Sequence, residues 1–255
     1  MSNEFHTGER LYLGHTIKEV AKEHIARYKF AQAYINENAI CLDIACGSGY
    51  GSELLSQRAK KVIGVDINHN ALLYARDYHQ HPNIEFRFGD LNQSLDFPDN
   101  YFDLIVSFET LEHIENQENA LAEFNRILKT NGLLIISTPD RNIMSQGGKV
   151  ENEFHVRELS QSEFVELMNR YFKVREYFGQ NRFKPSVAGQ MLKRIRSLRK
   201  YVWLRNSKRV LLKILHLKNF MHKRIVGAFK IDIVPINIQE KNEDFYVLLG
   251  VAEKK

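Results

Sequence analysis

The sequence predicts an α/β protein with a doubly wound, mostly parallel sheet, and three observations lead to this fold class. Apolar, β-prone runs alternate with helical patterns from residue 39 to residue 137, which is the rhythm of βαβ units. The runs at 104–106 and 133–136 are continuously apolar, as in strands that are buried on both faces. A turn containing Gly47, Gly49 and Gly51 joins the first strand to the next helix, as in open sheets that bind ligands.

The first half of the chain divides into a leading helix and three strands with two helices between them. Apolar residues recur every three or four positions from 17 to 31, which predicts an amphipathic helix. The elements expected next are a strand ending at Asp43, a helix to about Gln57, a strand at 61–66, a helix at about 68–79 and a strand at 84–88. Asn68 can cap its helix, and Gly89 with Asp90 ends the last of these strands.

The second half continues the alternation and then departs from it. We expect a turn at 97–100, a strand at 102–107, a helix at 115–128, a strand at 133–137 after Asn131 and Gly132, a helix at 162–171 and strands at 173–178 and 244–251. No clear crossover helix joins the last two strands. They are therefore expected to pair antiparallel.

The glycine turn is the main functional signal. Gly47 and Gly49 can adopt backbone angles closed to other residues, and the helix behind them offers free N–H groups to a polar ligand. A purely structural turn and a dinucleotide site are the alternatives that the turn alone leaves open. Asp43 inside the motif and Asp66 at the end of the next strand favour another kind of nucleoside, because a carboxylate can accept bonds from both ribose hydroxyls.

Composition indicates one full domain with a sizeable core, since 44% of the 255 residues are hydrophobic. The first residues show no leader pattern, and no run of about 18 apolar residues predicts a membrane span. Cys41 and Cys46 lie too close together in sequence to suggest a disulfide framework, which indicates a cytoplasmic protein. No cluster of His and Cys has zinc spacing, so a metal is not expected.

The net charge of +5 is unevenly distributed. Residues 178–230 contain fifteen Lys and Arg and no Asp or Glu, which leaves 21 basic against 31 acidic residues elsewhere. The basic character therefore belongs to one segment, and we predict a domain made of residues 1–183 and 243–255 with a basic amphipathic helical insertion at 184–242. Its helices are expected at 190–205 and 210–229.

The insertion has three interpretations. It is a lid over the domain, a contact to an anionic membrane surface or lipid-linked substrate, or a nucleic-acid contact. Nucleic acid is disfavoured because no aromatic stacking platform accompanies the charges. The membrane interpretation adds a peripheral position at the inner membrane face to the cytoplasmic location.

The ordered motifs resemble class I S-adenosylmethionine-dependent methyltransferases. The resemblance is carried by residues 42–49, 64–67, 89–91, 97–107, 111–114 and 127–139. It implies a Rossmann-like methyltransferase fold of seven strands with the last strand antiparallel, S-adenosylmethionine as cofactor, and methyl transfer as reaction. Ala45 stands where the family usually has glycine, and cofactor binding is expected to survive this small change.

The resemblance also implies the cofactor contacts. The methionine part is assigned to Asp43, Ala45, Gly47 and Gly49, the ribose to Asp66, the adenine to Ile67, Asp90 and Leu91, and the methyl sulfonium to Ser107, Phe108 and Glu109. For Asp90, a simple role in the turn is the alternative.

Shorter motifs at 7–10, 23–28 and 153–159 resemble methyltransferases of bacterial surface-polysaccharide and glycolipid assembly. By that likeness the acceptor is a sugar or glycolipid hydroxyl, and Arg10 and Tyr28 close over the cofactor carboxylate, to which an arginine can donate two parallel bonds. The alternative for Tyr28 is a place on the core face of its helix. An RNA or small-metabolite methyltransferase and a non-catalytic cofactor-binding protein are the competing functions.

A hydroxyl acceptor needs a base, and the candidates are His155, His113 and Glu109. His155 is preferred because it follows the fifth strand, on the side where open α/β sheets bind ligands. A histidine pKa near ~6.5 suits a base at neutral pH. The alternative is structural: a loop histidine often only donates hydrogen bonds, and Glu112 with His113 could simply hold the loop after the fourth strand.

Overall fold

The computed structural model describes residues 18–145, 152–182, 233–236 and 245–255. Arg10 and both predicted basic helices lie outside the described residues. Four described residues of the predicted insertion, 233–236, include a short strand.

Six helices and eight strands are formed within the described part of the chain. The helices are α1 Lys18–Gln32, α2 Tyr50–Ser56, α3 His69–Tyr78, α4 Gln117–Ile127, α5 Arg141–Met144 and α6 Gln161–Tyr171, with a single 3₁₀ turn at Leu111–His113. The strands are β1 Ile40–Ile44, β2 Lys61–Asp66, β3 Ile84–Phe88, β4 Phe102–Phe108, β5 Leu128–Pro139, β6 Phe172–Arg182, β7 Ile233–Pro235 and β8 Phe245–Lys254. The predicted cap of α3 is confirmed, since the Asn68 side chain accepts a hydrogen bond from the Ala71 N–H at 2.8 Å.

All eight strands form one sheet in the order β3-β2-β1-β4-β5-β8-β6-β7. The first five are parallel, whereas β8 lies antiparallel between β5 and β6. The doubly wound sheet and its antiparallel last strand are thereby confirmed, and the three-residue β7 extends it to an eighth strand beside β6. The strand order reverses between β1 and β4, and ligands of open α/β sheets bind outside the carboxyl ends of strands at such a point.

β6 and β8 extend to Arg182 and Lys254 and do not end at residues 178 and 251, and two further elements begin at other residues than the sequence predicts. β5 begins at Leu128 and not at residue 133, because the fully buried Leu128 already pairs with Phe102. The register then shifts before Leu104 pairs with Leu133, and Asn131 adopts a positive φ of 65° within this irregularity. The predicted turn is thus a bulge inside a longer strand.

The second boundary is the start of α4, which begins at Gln117 and not at residue 115. The Asn116 side chain accepts a hydrogen bond from the Asn119 N–H at 3.1 Å. This cap fixes the first turn of the helix two residues later than the apolar pattern alone indicated.

Both faces of the sheet are buried, as the continuous apolar runs predicted. One face packs Leu42, Phe102 and Phe124 into a core with α4 and α6, and the other packs Cys41, Leu104 and Val106 against α1 and α2. Cys41 and Cys46 are buried free thiols. Among the described helices, none combines the length and the apolar character that crossing a membrane requires.

Candidate cofactor and acceptor site

A cavity of about 570 Å³ opens where the carboxyl ends of β1, β2, β3 and β4 meet. Its walls come from the loops that follow these four strands, together with part of α1 and the loop that carries His155. A cavity of this size suits a small molecule. A pocket therefore lies where the strand order reverses. The sequence predicted that a ligand site lies at this edge of the sheet, but not the shape of the pocket.

The two glycines of the turn do different things. Both adopt positive φ, 54° at Gly47 and 88° at Gly49. A Cβ added to Gly47 would meet nothing within 4 Å, and Gly47 lines the cavity. A Cβ added to Gly49 would lie 2.7 Å from Ala75 Cβ and 2.8 Å from Phe86 Cζ, so Gly49 permits packing against α3 and β3 and is not part of the cavity wall.

Asp66 lies at the end of β2 and lines the cavity, with only 5% of its surface exposed. Its Oδ2 accepts the Gly47 N–H at 2.8 Å, and its Oδ1 accepts the Asn68 N–H at 2.8 Å. The carboxylate thereby joins the glycine turn to the start of α3. Each oxygen can accept more than one hydrogen bond, so hydroxyl groups of a ligand can bind in addition to the two backbone donors.

Asp43 is fully buried and does not line the cavity. Its carboxylate accepts hydrogen bonds from the Tyr28 hydroxyl at 2.9 Å and from the Ser52 hydroxyl at 2.7 Å. Burial raises the pKa of Asp43 to about 7, although these two hydrogen bonds oppose the rise. Asp43 therefore acts by fixing Tyr28 and α2, and Tyr28 is the member of the pair that reaches the cavity.

The residues assigned to the adenine lie together on the β2 and β3 side. Ile67 is 51% exposed beside Asp66, an open position for a large apolar side chain next to a cavity. Asp90 is half-buried, and its Oδ1 accepts the Asn92 N–H at 2.9 Å. Leu91 packs partly on the core and completes this part of the wall.

The end of β4 provides the residues assigned to the sulfonium. Phe108 lines the cavity and packs edge-on against Tyr28, with ring centroids 5.0 Å apart. Glu109 follows with a positive φ of 50°, and its carboxylate accepts the Ser137 hydroxyl at 2.7 Å. Ser107 is buried behind them and does not line the cavity, and its Oγ lacks a hydrogen-bond partner within the described structure.

The two histidines proposed as bases are brought together although they are far apart in sequence. Their rings meet edge to face with centroids 4.9 Å apart, and both line the cavity. The Nδ1 of His155 lies 2.6 Å from Glu158 Oε1, and the Nδ1 of His113 lies 2.9 Å from the carbonyl oxygen of Phe154. Both rings are therefore oriented by an acceptor.

Two buried carboxylates beside the histidines, Glu112 and Glu158, were not among the candidate site residues, although the sequence offered Glu112 as a residue that holds the loop; they are 1% and 2% exposed. Burial, with the nearby Glu109 carboxylate, raises the pKa of Glu112 well above its ordinary value. Its side chain accepts the Thr138 hydroxyl at 3.0 Å, and its carbonyl accepts the Val156 N–H at 2.8 Å, which ties the His155 loop to the end of β4. For the pairing of His155 with Glu158, the available sequence signal was their separation by three residues.

Comparison with known proteins places this site in context. Residues 42–136 match the model of the methyltransferase domain family. The chain is 34% identical over 140 residues to a probable S-adenosylmethionine-dependent methyltransferase of Mycolicibacterium smegmatis, covering 54% of this chain and 53% of that protein. It is 33% identical over 121 residues to a ubiquinone biosynthesis O-methyltransferase of Glaesserella parasuis, covering 43% and 51%. The chain thus spans about half the length of the curated relatives it matches.

Solved structures share the whole fold at low sequence identity. A putative methyltransferase bound to the Trm112 activator of Haloferax volcanii aligns with a TM-score of 0.61 at 19% identity, covering 93% of both chains. A putative methyltransferase of Bacillus halodurans gives 0.59 at 19%, covering 90% and 98%. The cyclase SpnF gives 0.60 at 13%, covering 96% and 86%.

These likenesses establish the Rossmann-like methyltransferase fold. Neither relative described above is a sugar or glycolipid enzyme by its name. Because a cyclase shares the fold, the reaction has to be argued from the site itself.

Proposed function

We propose that this chain is an S-adenosylmethionine-dependent methyltransferase that methylates a hydroxyl oxygen. One observation carries the proposal: a single cavity joins the glycine turn, Asp66 and Asp90 to the oriented pair His113 and His155. The first group suits a nucleoside cofactor, and the second suits the removal of a proton from an acceptor.

The residues present fit the cofactor. Gly47 leaves open space where any larger residue would place a Cβ, so a ligand can approach the backbone closely. Asp66 and Asp90 supply acceptors for hydroxyl and amino hydrogens, and Ile67 and Leu91 supply apolar surface beside them. We infer that Asp66 would bind the ribose, and that Asp90, Ile67 and Leu91 would bind the adenine. Ala45, Tyr28, Phe108 and Glu109 also line the wall.

When bound, S-adenosylmethionine supplies a methyl group already activated by a positively charged sulfur. The protein then has to position the acceptor in line with that group and receive the acceptor's proton. Glu109 contributes a carboxylate near this position, held by Ser137 in a backbone conformation that is uncommon outside glycine. His113 and His155 contribute the groups that activate the hydroxyl.

A hydroxyl oxygen is the acceptor that the site supports best, since the already ionised oxygens of carboxylate and phosphate acceptors would need no oriented imidazole pair. The likeness to O-methyltransferases of ubiquinone biosynthesis supports the same atom. A sugar or glycolipid hydroxyl remains our proposal for the acceptor class, and it is supported by the short motifs at 7–10, 23–28 and 153–159 alone.

Cofactor binding is tested with Asp66→Asn, measured by isothermal titration with S-adenosylmethionine. The amide keeps the shape but loses the charge, and a hydrogen bond to a charged group contributes about 1.5–3 kcal/mol, so we expect binding at least roughly tenfold weaker. Asp77→Asn, on the exposed side of α3, is the matched control and should bind as the wild type does. Equal affinity of the two variants would refute the assigned ribose contact.

Methyl transfer is tested with labelled cofactor and panels of hydroxyl acceptors, which include nucleotide sugars, lipid-linked glycans and phenols. His155→Ala should lower turnover by about 10²–10⁴-fold while cofactor affinity stays unchanged. Transfer to RNA instead would support the competing class of methyltransferase. Cofactor binding without transfer to any acceptor would point to a non-catalytic protein.

A further inference from the structure

Three side chains at the cavity wall converge on one point. Glu112, His113 and His155 each offer one metal-ligating atom, and these atoms all lie within 4.8 Å of one another. The side chains are 1%, 32% and 9% exposed, so the point is shielded but open on the side of His113. All three line the cavity described above.

Both imidazoles are held in the way that metal-ligating histidines are held. A carbonyl oxygen only accepts, so the Nδ1 of His113, 2.9 Å from the Phe154 oxygen, carries the proton. The Nδ1 of His155 donates to Glu158 Oε1 at 2.6 Å, and the other oxygen of Glu158 accepts the Ser145 hydroxyl. Such bonds fix the tautomer in which Nε2 carries the lone pair, and they make it a better ligand.

The carboxylate of Glu112 completes the set. Its Oε2 accepts the Thr138 hydroxyl, whereas its Oε1 lies 3.9 Å from the Nε2 of His113. That separation is too long for a hydrogen bond, but it is shorter than the sum of two metal–ligand bonds of about 2.0–2.2 Å.

We propose that Glu112, His113 and His155 bind a divalent transition-metal cation of the Zn²⁺ or Co²⁺ type. Two imidazoles and one carboxylate suit these ions, whereas Mg²⁺ and Ca²⁺ prefer oxygen ligands throughout. Three atoms within 4.8 Å of one another leave a central ion at most about 2.8 Å from each (4.8 Å divided by √3), so small side-chain movements reach bonding distance. The amide of Asn152, whose Nδ2 is 3.0 Å from the His155 Nε2, would be displaced by the ion.

The site deepens the proposed function, and its role rests on that function. A cation here faces the same cavity as Glu109 and can bind the acceptor's hydroxyl oxygen, which lowers the pKa of that hydroxyl. The O–H bond would then break with its proton passing to the Glu109 carboxylate. The oxygen would form a bond to the methyl carbon while the sulfur–methyl bond of S-adenosylmethionine breaks, and the bonding electrons would leave with the sulfur as S-adenosylhomocysteine. In this arrangement His155 is a ligand and not the base that the sequence predicts.

The test is titration of the full chain, stripped of metal by a chelator, with Zn²⁺ and with Co²⁺, without cofactor or acceptor. We expect a site that is lost in His113→Ala and weakened about 10–100-fold in Glu158→Gln, which only removes the orienting charge behind His155. His79→Ala, at an exposed pairing with Glu53 outside the cluster, is the control and should bind as the wild type does. Cobalt absorption reports whether nitrogen ligands are lost with each variant.

The outcomes separate the two proposals. S-adenosylmethionine affinity is measured on the same variants as the check on folding, because Glu112, His113 and His155 are not assigned to the cofactor. Normal cofactor binding with no metal binding, or metal binding unchanged in His113→Ala and Glu158→Gln, would overturn this inference and leave the proposed function standing. If the metal binds with the expected variant pattern but S-adenosylmethionine does not bind, the proposed function would be refuted and the metal site would stand.

Discussion

At the scale of single residues, Asp43 shows how a motif residue can act without touching a ligand. Its two hydrogen bonds hold Tyr28 and Ser52, and no part of it is exposed. The family resemblance placed it near the methionine part of the cofactor, and in the structure its hydrogen-bond partner Tyr28 lines the cavity while Asp43 itself does not. Asp43 therefore affects ligand binding by positioning Tyr28.

The raised pKa of Asp43 predicts a pH dependence of stability. The folded-state pKa of about 7 exceeds the ordinary value of 3.8, so the folded protein holds the proton over this range while the unfolded chain releases it. The contribution of Asp43 to the free energy of unfolding is thus greatest below pH 4 and falls as the pH rises through 7, by up to about 4 kcal/mol. In Asp43→Asn this dependence should vanish.

Urea unfolding at pH 4 to 8 checks this. Other groups titrate too, so the informative quantity is the difference in the free energy of unfolding between Asp43→Asn and the wild type. This difference should shift in favour of the variant as the pH rises. Parallel stability curves for the two proteins would show that Asp43 has the same pKa folded and unfolded.

At the scale of elements, α1 and α2 meet so closely that only glycine fits between them. A Cβ at Gly51, in the first turn of α2, would lie 2.0 Å from the ring atom Cζ of Tyr28. The Tyr28 ring also packs edge-on against Tyr50, with centroids 5.5 Å apart. The third glycine of the motif therefore serves the docking of α1 and not the ligand.

We predict that Gly51→Ala destabilises the fold by about 1–3 kcal/mol, because the Tyr28 ring must leave its place and its bond to Asp43. Chemical denaturation measures the loss, and a double-mutant cycle with Tyr28→Leu locates its cause. The pair should be less destabilised than the sum of the single variants. Simple additivity would mean that the added methyl group clashes elsewhere.

At the scale of the whole molecule, the sheet binds distant parts of the chain into one body beneath the site. β8 inserts between β5 and β6 over most of its length, so the last described segment of the chain supports β5, the strand that precedes the loop carrying His155. The cavity itself is lined by residues at or after the ends of five different strands, β1 to β5, together with part of α1. Ligand binding should consequently stabilise the domain as a unit.

S-adenosylmethionine at a hundredfold excess over its dissociation constant should add about 2.7 kcal/mol to the free energy of unfolding. For a chain of this size that corresponds to a rise in Tm of roughly 5–10 °C. Thermal unfolding followed by circular dichroism measures it, with Asp66→Asn at the same cofactor concentration expected to gain less. An unchanged Tm for the wild type would contradict cofactor binding.

Much of the fold and the cofactor side could be predicted because their signals are local. The spacing of apolar residues predicts the strands and helices. The residue type of Asn68 predicts that it caps α3, and Asp66 ends an apolar strand that lies next to the glycine turn. Parallel strands separated by helices must bring their following loops to one edge of the sheet. Gly47, Asp66, Asp90 and Glu109 accordingly line one cavity, as their places after β1, β2, β3 and β4 indicated.

Tertiary structure alone decided which loops touch and which way each side chain points. The backbone of the Phe154–Arg157 loop is hydrogen-bonded to Glu112 and His113, and this contact brings the two histidines together beside Glu112, where we propose that a metal binds. It depends on the crossover from β5, which leaves no periodic trace in the sequence. The sequence by itself thus determined the sheet and the residues of the proposed nucleoside side of the cavity, because those depend on neighbours along the chain. Packing between distant segments decided the histidine side, where we propose that the acceptor binds.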